Sequence, residues 1–166
     1  MTRSEWSNAI ESAYAAVYRS LVALGASPAD AADALHDAVE RALRRPEAET
    51  IAIERPEAWL FVVALRRWRT NRWRNRLFVP LDGLRAQPLV PAPGENAVAL
   101  IAELKRLPQR EREVFVSRYL LGLSQEETAR ALAIAVGTVA AATVHATRKL
   151  RKRLEATDER PRPETA

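Results

Sequence analysis

Apolar residues recur at three- and four-residue steps along most of this chain, which is the spacing of one buried face on a helix. From Trp6 to Leu24 that face is Ile10, Tyr14, Val17, Tyr18, Leu21 and Leu24, and Gly25 ends it. Ser27-Pro28 then supplies an N-cap and a residue suited to the first helical position. Ala31, Leu35, Ala38, Val39, Ala42 and Leu43 line the helix that follows, through about Arg45. Together the two segments predict a helical hairpin. Pro46 to Arg55 reads as a loop, and Pro56-Glu57 opens a third helix whose first half, with Trp59, Leu60, Val62, Val63 and Leu65, is largely apolar.

The pattern breaks between Leu77 and Glu95, where Pro80, Gly83, Pro88, Pro91, Pro93 and Gly94 interrupt any long helix. This stretch reads as a linker. Periodicity resumes at Asn96, with Val98, Leu100, Ile101, Leu104 and Leu107 inward, and Pro108 starts the next helix. Two more apolar-periodic segments, Val114 to Leu121 and Glu126 to Leu132, flank Gly122-Leu123-Ser124, and a last one runs from about Val136 to Leu154. The expected fold is all-α: two small helical domains joined by a Pro-rich linker, the C-terminal one containing a helix-turn-helix. The expected boundaries are 1–77 for the N-terminal domain, 78–95 for the linker, 96–155 for the C-terminal domain and 156–166 for a disordered tail.

Local signals support the helix-turn-helix. Gly122 suits a helix C-cap and Ser124 an N-cap, and Glu127, three residues on, completes a capping box. Ala129, Leu132 and Ile134 offer the small and apolar contacts that let one helix cross another. Gly137-Thr138-Val139 opens a helix whose first turns would face a DNA major groove.

Composition narrows the function. With 48% apolar residues the chain can bury cores, and no run approaches the 18 uninterrupted apolar residues of a membrane span. The N-terminus lacks a secretory signal, so no membrane insertion and a cytoplasmic location are expected. The chain contains no cysteine, which excludes disulfides and thiolate chemistry. Its two histidines, His36 and His145, are far apart in sequence, and no metal or other cofactor is expected. No phosphate-cradling glycine loop or paired acid-base constellation argues for an enzyme, and Glu126-Glu127 is better explained by capping. Net charge is +5, which points weakly to a polyanion partner.

The basic residues are clustered. Arg66-Arg67-Trp68-Arg69-Thr70-Asn71-Arg72-Trp73-Arg74-Asn75-Arg76 holds six arginines and two tryptophans in eleven residues with no acid. Arginines neutralise phosphates and aromatic faces stack on unpaired bases, so the composition suits single-stranded DNA. Trp59 is expected in the core, while Trp68 and Trp73 stay open between core and DNA.

Three stretches carry a family resemblance: Leu107-Pro108-Gln109-Arg110-Glu111-Arg112-Glu113-Val114-Phe115; Tyr119-Leu120-Leu121-Gly122-Leu123-Ser124-Gln125-Glu126-Glu127-Thr128-Ala129; and Val136-Gly137-Thr138-Val139. In order and spacing they resemble the C-terminal promoter-reading domain of bacterial RNA polymerase sigma factors, in particular the two-domain extracytoplasmic function (ECF) group. The resemblance implies that Asp30, Asp33, Leu35, His36, Asp37 and Glu40 lie on the helix that binds the clamp helices of the polymerase largest subunit. It likewise implies that Arg55-Pro56-Glu57-Ala58-Trp59-Leu60-Phe61-Val62-Val63-Ala64 opens the helix that melts and reads the minus-ten element. The residues on that DNA side are Arg66, Arg67, Trp68, Arg69, Asn71, Arg72, Trp73, Arg74 and Arg76. For the minus-thirty-five element the set is Ser124, Arg130, Thr138, Ala140, Ala141, Thr143, His145, Arg148 and Lys149. Core RNA polymerase (clamp helices and flap) and promoter DNA are the implied partners, with an anti-sigma factor as a further one.

This sequence departs from the family where it has His36 in place of a usual glutamine, and Ala135 in place of a usual serine cap. Ala140-Ala141-Ala142 stands where polar contacts are common. Alanine offers no hydrogen bond but can pack on thymine methyl groups. The expected function is therefore a sigma factor that directs transcription initiation. The alternative is a sigma-like polymerase-binding regulator with weakened DNA reading, helper-dependent or competing with other sigma factors.

Overall fold

The computed structural model describes residues 2–46, 48–49, 52–75 and 94–158. Helix α1 spans Arg3–Leu24, α2 Pro28–Arg44 and α3 Pro56–Asn75. Thr2 and Glu5 close a capping box on α1: the Glu5 N–H donates to Thr2 Oγ1 at 3.2 Å and the Thr2 N–H donates to Glu5 Oε2 at 2.7 Å. Those bonds favour the ionised carboxylate and hold Glu5 below its ordinary range. At the other end Gly25, with φ 108°, sends its N–H back to the Leu21 and Val22 carbonyls, a reversal that a side chain would strain. Ser27 caps α2 by accepting the Asp30 N–H at 3.0 Å.

Helix α3 packs against both members of the hairpin. Phe61, Leu60 and Leu65 from α3 meet Val17 and Leu21 of α1 and Leu35 of α2 in a fully buried centre. Each such side chain contributes about 1.5–3 kcal/mol by leaving water. Trp59, expected in the core, is only partly buried: it meets Trp6 edge-on at 6.0 Å, and the Arg45 guanidinium lies 5.6 Å from its ring centroid.

The C-terminal unit is α4 (Glu95–Lys105), α5 (Gln109–Phe115), a π turn over Val116–Leu120, α6 (Gln125–Leu132) and α7 (Val136–Asp158). Its core is Leu104, Leu107, Val114, Val116, Leu123, Val139, Ala146 and Leu150. The helix expected over Val114 to Leu121 is split at Phe115. Beyond it the chain widens, and the Leu121 N–H reaches the Val116 carbonyl at 3.2 Å. The buried Ser117 hydroxyl donates to the Glu113 carbonyl at 2.8 Å, a side-chain intrusion into the helical ladder at the point where the helix changes pitch. Gly122, at φ 65°, turns the chain into α6. Ala133 takes the left-handed conformation at φ 54° between α6 and α7, a position where glycine is the usual occupant. Helix α7 runs on to Asp158, past the expected boundary at Glu155, whereas the linker expected over 78–95 lies outside the described residues up to Pro93.

The two units are docked. Helix α1 touches α4, α5 and the π turn besides its own partners, and α3 touches α6.

Candidate nucleic-acid interface

Each expected site is a helical segment whose orientation is fixed by what its buried side holds. On α3 the anchor is Trp68, 6% exposed and part of the core. The Arg72 guanidinium lies 5.8 Å from its ring centroid, a cation–π contact that leaves the arginine facing solvent. Five residues on, and so well round the helix, Trp73 is 68% exposed. The two tryptophans left open by the sequence thus divide, one to the core and one to the surface.

The arginines divide as well. Arg66 and Arg72 are exposed, and Asn71 is half-buried. Arg67 is committed to Asp37 of α2 and Arg69 to Glu113 of α5. The side chain of Arg74, and all of Arg76, lie outside the described residues. Arg66, Thr70 and Trp73 are spaced i, i+4, i+7 and so share one stripe. Thr70 was missed in the sequence as a site residue. Its hydroxyl donates to the Arg66 carbonyl at 2.9 Å, and it is exposed.

On α2, Asp33, His36 and Glu40 are exposed along one stripe, with half-buried Asp30 and Asp37 beside it. Leu35 is fully buried and is a core residue. Glu40 pairs with Arg44, and Asp30 accepts a hydrogen bond from the Ser27 hydroxyl at 2.7 Å. The stripe borders an apolar groove of about 480 Å³ between α1 and α2, lined by Trp6, Ile10, Tyr14, His36, Val39 and Leu43 among others. Burial raises the Tyr14 phenol above its ordinary range, so it stays neutral there.

In the helix-turn-helix the capping box forms as expected: the Glu127 N–H donates to Ser124 Oγ at 3.1 Å and the Ser124 N–H donates to Glu127 Oε2 at 2.7 Å. Ser124 is therefore occupied as a cap. Arg130 is exposed on α6. On α7, Val139, Ala142, Ala146 and Leu150 are buried, which turns Thr138, Ala141, Val144, His145, Arg148, Arg151 and Lys152 to solvent. Of the alanine run, Ala141 is exposed, Ala140 half-buried and Ala142 core. Thr143 donates its hydroxyl to the Val139 carbonyl at 2.8 Å, and Lys149 Nζ sits 2.7 and 2.9 Å from the Glu111 carboxylate oxygens. Val144, passed over in the sequence, is 55% exposed on the outward face of α7. That face is methyl-rich over its first two turns and basic beyond them, so apolar contact to bases and charge contact to phosphates are separated along one helix.

Among the described residues no group of His, Asp and Glu could hold a metal, and no single helix is long and apolar enough to cross a membrane.

Comparison with known proteins shows the family and the fold. The profile of the family described as Sigma-70, region 4 matches residues 97–150. An RNA polymerase sigma-E factor of Streptomyces coelicolor is 36% identical over 148 residues, covering 86% of this chain and 82% of that one. Its namesake in Streptomyces antibioticus is 34% identical over 148 residues, with 86% and 81% covered. Among solved structures, the sigma factor RpoE of Bartonella quintana in complex with the anti-sigma factor NepR shares the fold, with a TM-score of 0.67 at 20% identity over 92% of this chain and 96% of that one. CnrH, in complex with the cytosolic domain of CnrY, does so with a TM-score of 0.58 at 24% identity over 88% and 82%. The chain belongs to the bacterial RNA polymerase sigma factors of the ECF type. It is thus a factor for promoter-directed transcription initiation, in a family of transcription factors rather than enzymes.

Proposed function

We propose a division of labour among three helices. The exposed stripe Asp33, His36 and Glu40 on α2 docks on the clamp helices of the polymerase largest subunit, with Asp30 and Asp37 beside it. Helix α3 presents Arg66, Thr70, Arg72 and Trp73 to the melted minus-ten strand, the arginines to phosphates and the indole to a base face. Helix α7 enters the major groove at the minus-thirty-five element, with Ala141 and Val144 against thymine methyls and Arg148, Arg151 and Lys152 on the backbone. The C-terminal unit also meets the polymerase flap, and a cognate anti-sigma factor holds the protein back in the cytoplasm.

The observation that carries this reading is the split of the tryptophans on α3: Trp68 pins the helix to the core while Trp73, five residues on, stands exposed in the arginine-rich run. A structural role for Trp73 would bury it. Run-off transcription from promoter fragments with purified core polymerase tests the whole scheme. Asp33→Ala is expected to lose polymerase binding, and Trp73→Ala to keep it while losing open-complex formation. The methyl-rich face of α7 favours one second reading, a polymerase-binding regulator that reads DNA poorly by itself. Polymerase binding without a specific transcript on any genomic fragment would establish that reading instead.

A further inference from the structure

Helix α7 turns a bare face to solvent over its first three turns. Gly137, Ala141, Val144 and Arg148 are spaced i, i+4, i+7 and i+11, so they share one stripe, and all four are exposed. Half-buried Ala140 flanks the stripe on one side, with exposed Thr138 and His145 on the other. Outside its own helix and chain neighbours, nothing lies within 4 Å of where a Cβ on Gly137 would stand. Val144 is 55% exposed, and Thr143 turns its hydroxyl back onto the Val139 carbonyl. Up to Val144 the stripe therefore carries only hydrogen and methyl groups, with hydrogen-bonding side chains at its margin. Charge begins one turn later: Arg148, Arg151 and Lys152 border a groove of about 570 Å³ that reaches Val144 at one end and Tyr119 of the π turn across from it.

Chemistry decides what such a stripe can read. In the major groove thymine presents an O4 acceptor and a C5 methyl, while cytosine presents an N4 donor and a plain hydrogen at C5. Alanine and valine have neither a donor nor an acceptor, so they distinguish O4 from N4 weakly and respond to what stands at C5. To Ala141 and Val144, thymine and 5-methylcytosine present the same group, and unmodified cytosine and uracil both lack it. Small side chains let the helix approach closely, and a C5 methyl fills the space they leave. Burying one methyl in this way is worth about fourfold in affinity.

We propose that α7 is a reader of C5 methyl groups, and that cytosine methylation at a contacted position of the minus-thirty-five element strengthens promoter binding by this protein. The proposal rests on the promoter reading of α7 above and adds a ligand to it, 5-methylcytosine beside thymine. A promoter with cytosine at such a position is a weak site until its C5 is methylated. The modification state of the DNA then sets the level of initiation with no change in the protein.

The test uses the complex of the full chain with core polymerase and a promoter duplex recovered by run-off transcription, with binding read by fluorescence anisotropy. Each thymine of the minus-thirty-five element is replaced in turn by uracil, which removes only the methyl. Each sensitive position is then rebuilt as a cytosine–guanine pair, with and without the C5 methyl. Uracil is expected to weaken binding about fourfold at one or two positions, and 5-methylcytosine to bind about fourfold more tightly than cytosine at the same positions. Val144→Ala changes an exposed position to a strong helix former, so the fold is kept. That variant is expected to shrink the methyl effect at one position and leave the others unchanged. Arg148→Ala is expected to weaken methylated and unmethylated duplexes by the same factor.

Specific binding that is indifferent to uracil at every position, or a methyl effect that Val144→Ala leaves whole, would overturn the proposal and leave the promoter reading standing. Absence of specific binding to any promoter duplex would sink the reading of α7 itself, and the methyl proposal with it.

Discussion

Arg148 and Lys149 are neighbours on α7, and both carry a positive charge, yet promoter binding should respond to them differently. Arg148 is exposed and has no ion pair among the described residues, whereas Lys149 is held by both carboxylate oxygens of Glu111, itself 12% exposed. A cation already paired with a carboxylate of its own chain adds little to counterion release when DNA arrives. Each phosphate that is neutralised contributes about −0.9 to the slope of log affinity against log salt. Arg148→Ala should therefore make the slope shallower by about 0.9, which between about 50 and 200 mM salt removes about 3.5-fold of the salt effect. Lys149→Ala should leave the slope within error of wild type and act, if at all, on stability. The measurement is fluorescence anisotropy of a labelled promoter duplex with the polymerase complex of each variant, over a series of salt concentrations. Equal flattening by both variants, or flattening by Lys149→Ala alone, would refute the assignment of faces on α7, because it would mean that the Glu111 pair opens onto DNA.

Other expectations follow from single contacts. Trp68→Ala empties a core position and should cost about 3–5 kcal/mol in urea unfolding, while Trp73→Ala should stay within about 0.5 kcal/mol. Trp73→Ala should instead weaken binding to a single-stranded minus-ten oligonucleotide by about 1–3 kcal/mol per stacked base. Ala135→Ser places a hydroxyl at the exposed start of α7, near the Thr138 N–H, and should stabilise by about 1 kcal/mol, read as a rise in melting temperature of about 2–4 °C. Glu127 is held below its ordinary range, first by the Ser124 backbone N–H and then by Arg55. A depressed folded-state value means that this stabilisation is complete above the unfolded carboxylate's range and is lost as pH falls through the lower, folded value. Circular dichroism during acid titration should show Glu127→Gln losing less stability than wild type over that interval, and an unchanged titration would contradict it.

Much of the fold was legible because it is helical and local. The face of α1, the cap at Ser27, the reversal at Gly25 and the capping box at Ser124 and Glu127 each depend on residues within a few positions of one another and form as the spacing implied, and so does the face of α2 except at Leu43, which is 56% exposed. The π turn over Val116–Leu120 was not legible, since the Ser117 hydroxyl donating to the Glu113 carbonyl and the shift of the backbone ladder beside it leave no mark on the apolar periodicity. Ala133 in the left-handed conformation was equally silent, because the usual signal there is a glycine.

The candidate site was legible as composition and not as geometry. An arginine- and tryptophan-rich run announces nucleic acid, but whether Trp68 or Trp73 faces outward depends on which side of α3 the hairpin covers, and only packing decides that. The same holds for the alanine run, where Ala142 is core and Ala141 surface. The sequence by itself determined most of the helices, the caps at Gly25, Ser27 and Ser124, and the family, because these are written in short-range patterns. Only the tertiary structure decided which charges are spent: Arg67 on Asp37, Arg69 on Glu113, Lys149 on Glu111, pairs separated by 30, 44 and 38 residues. Partners that distant are brought together by the packing of helices, and no local spacing encodes them.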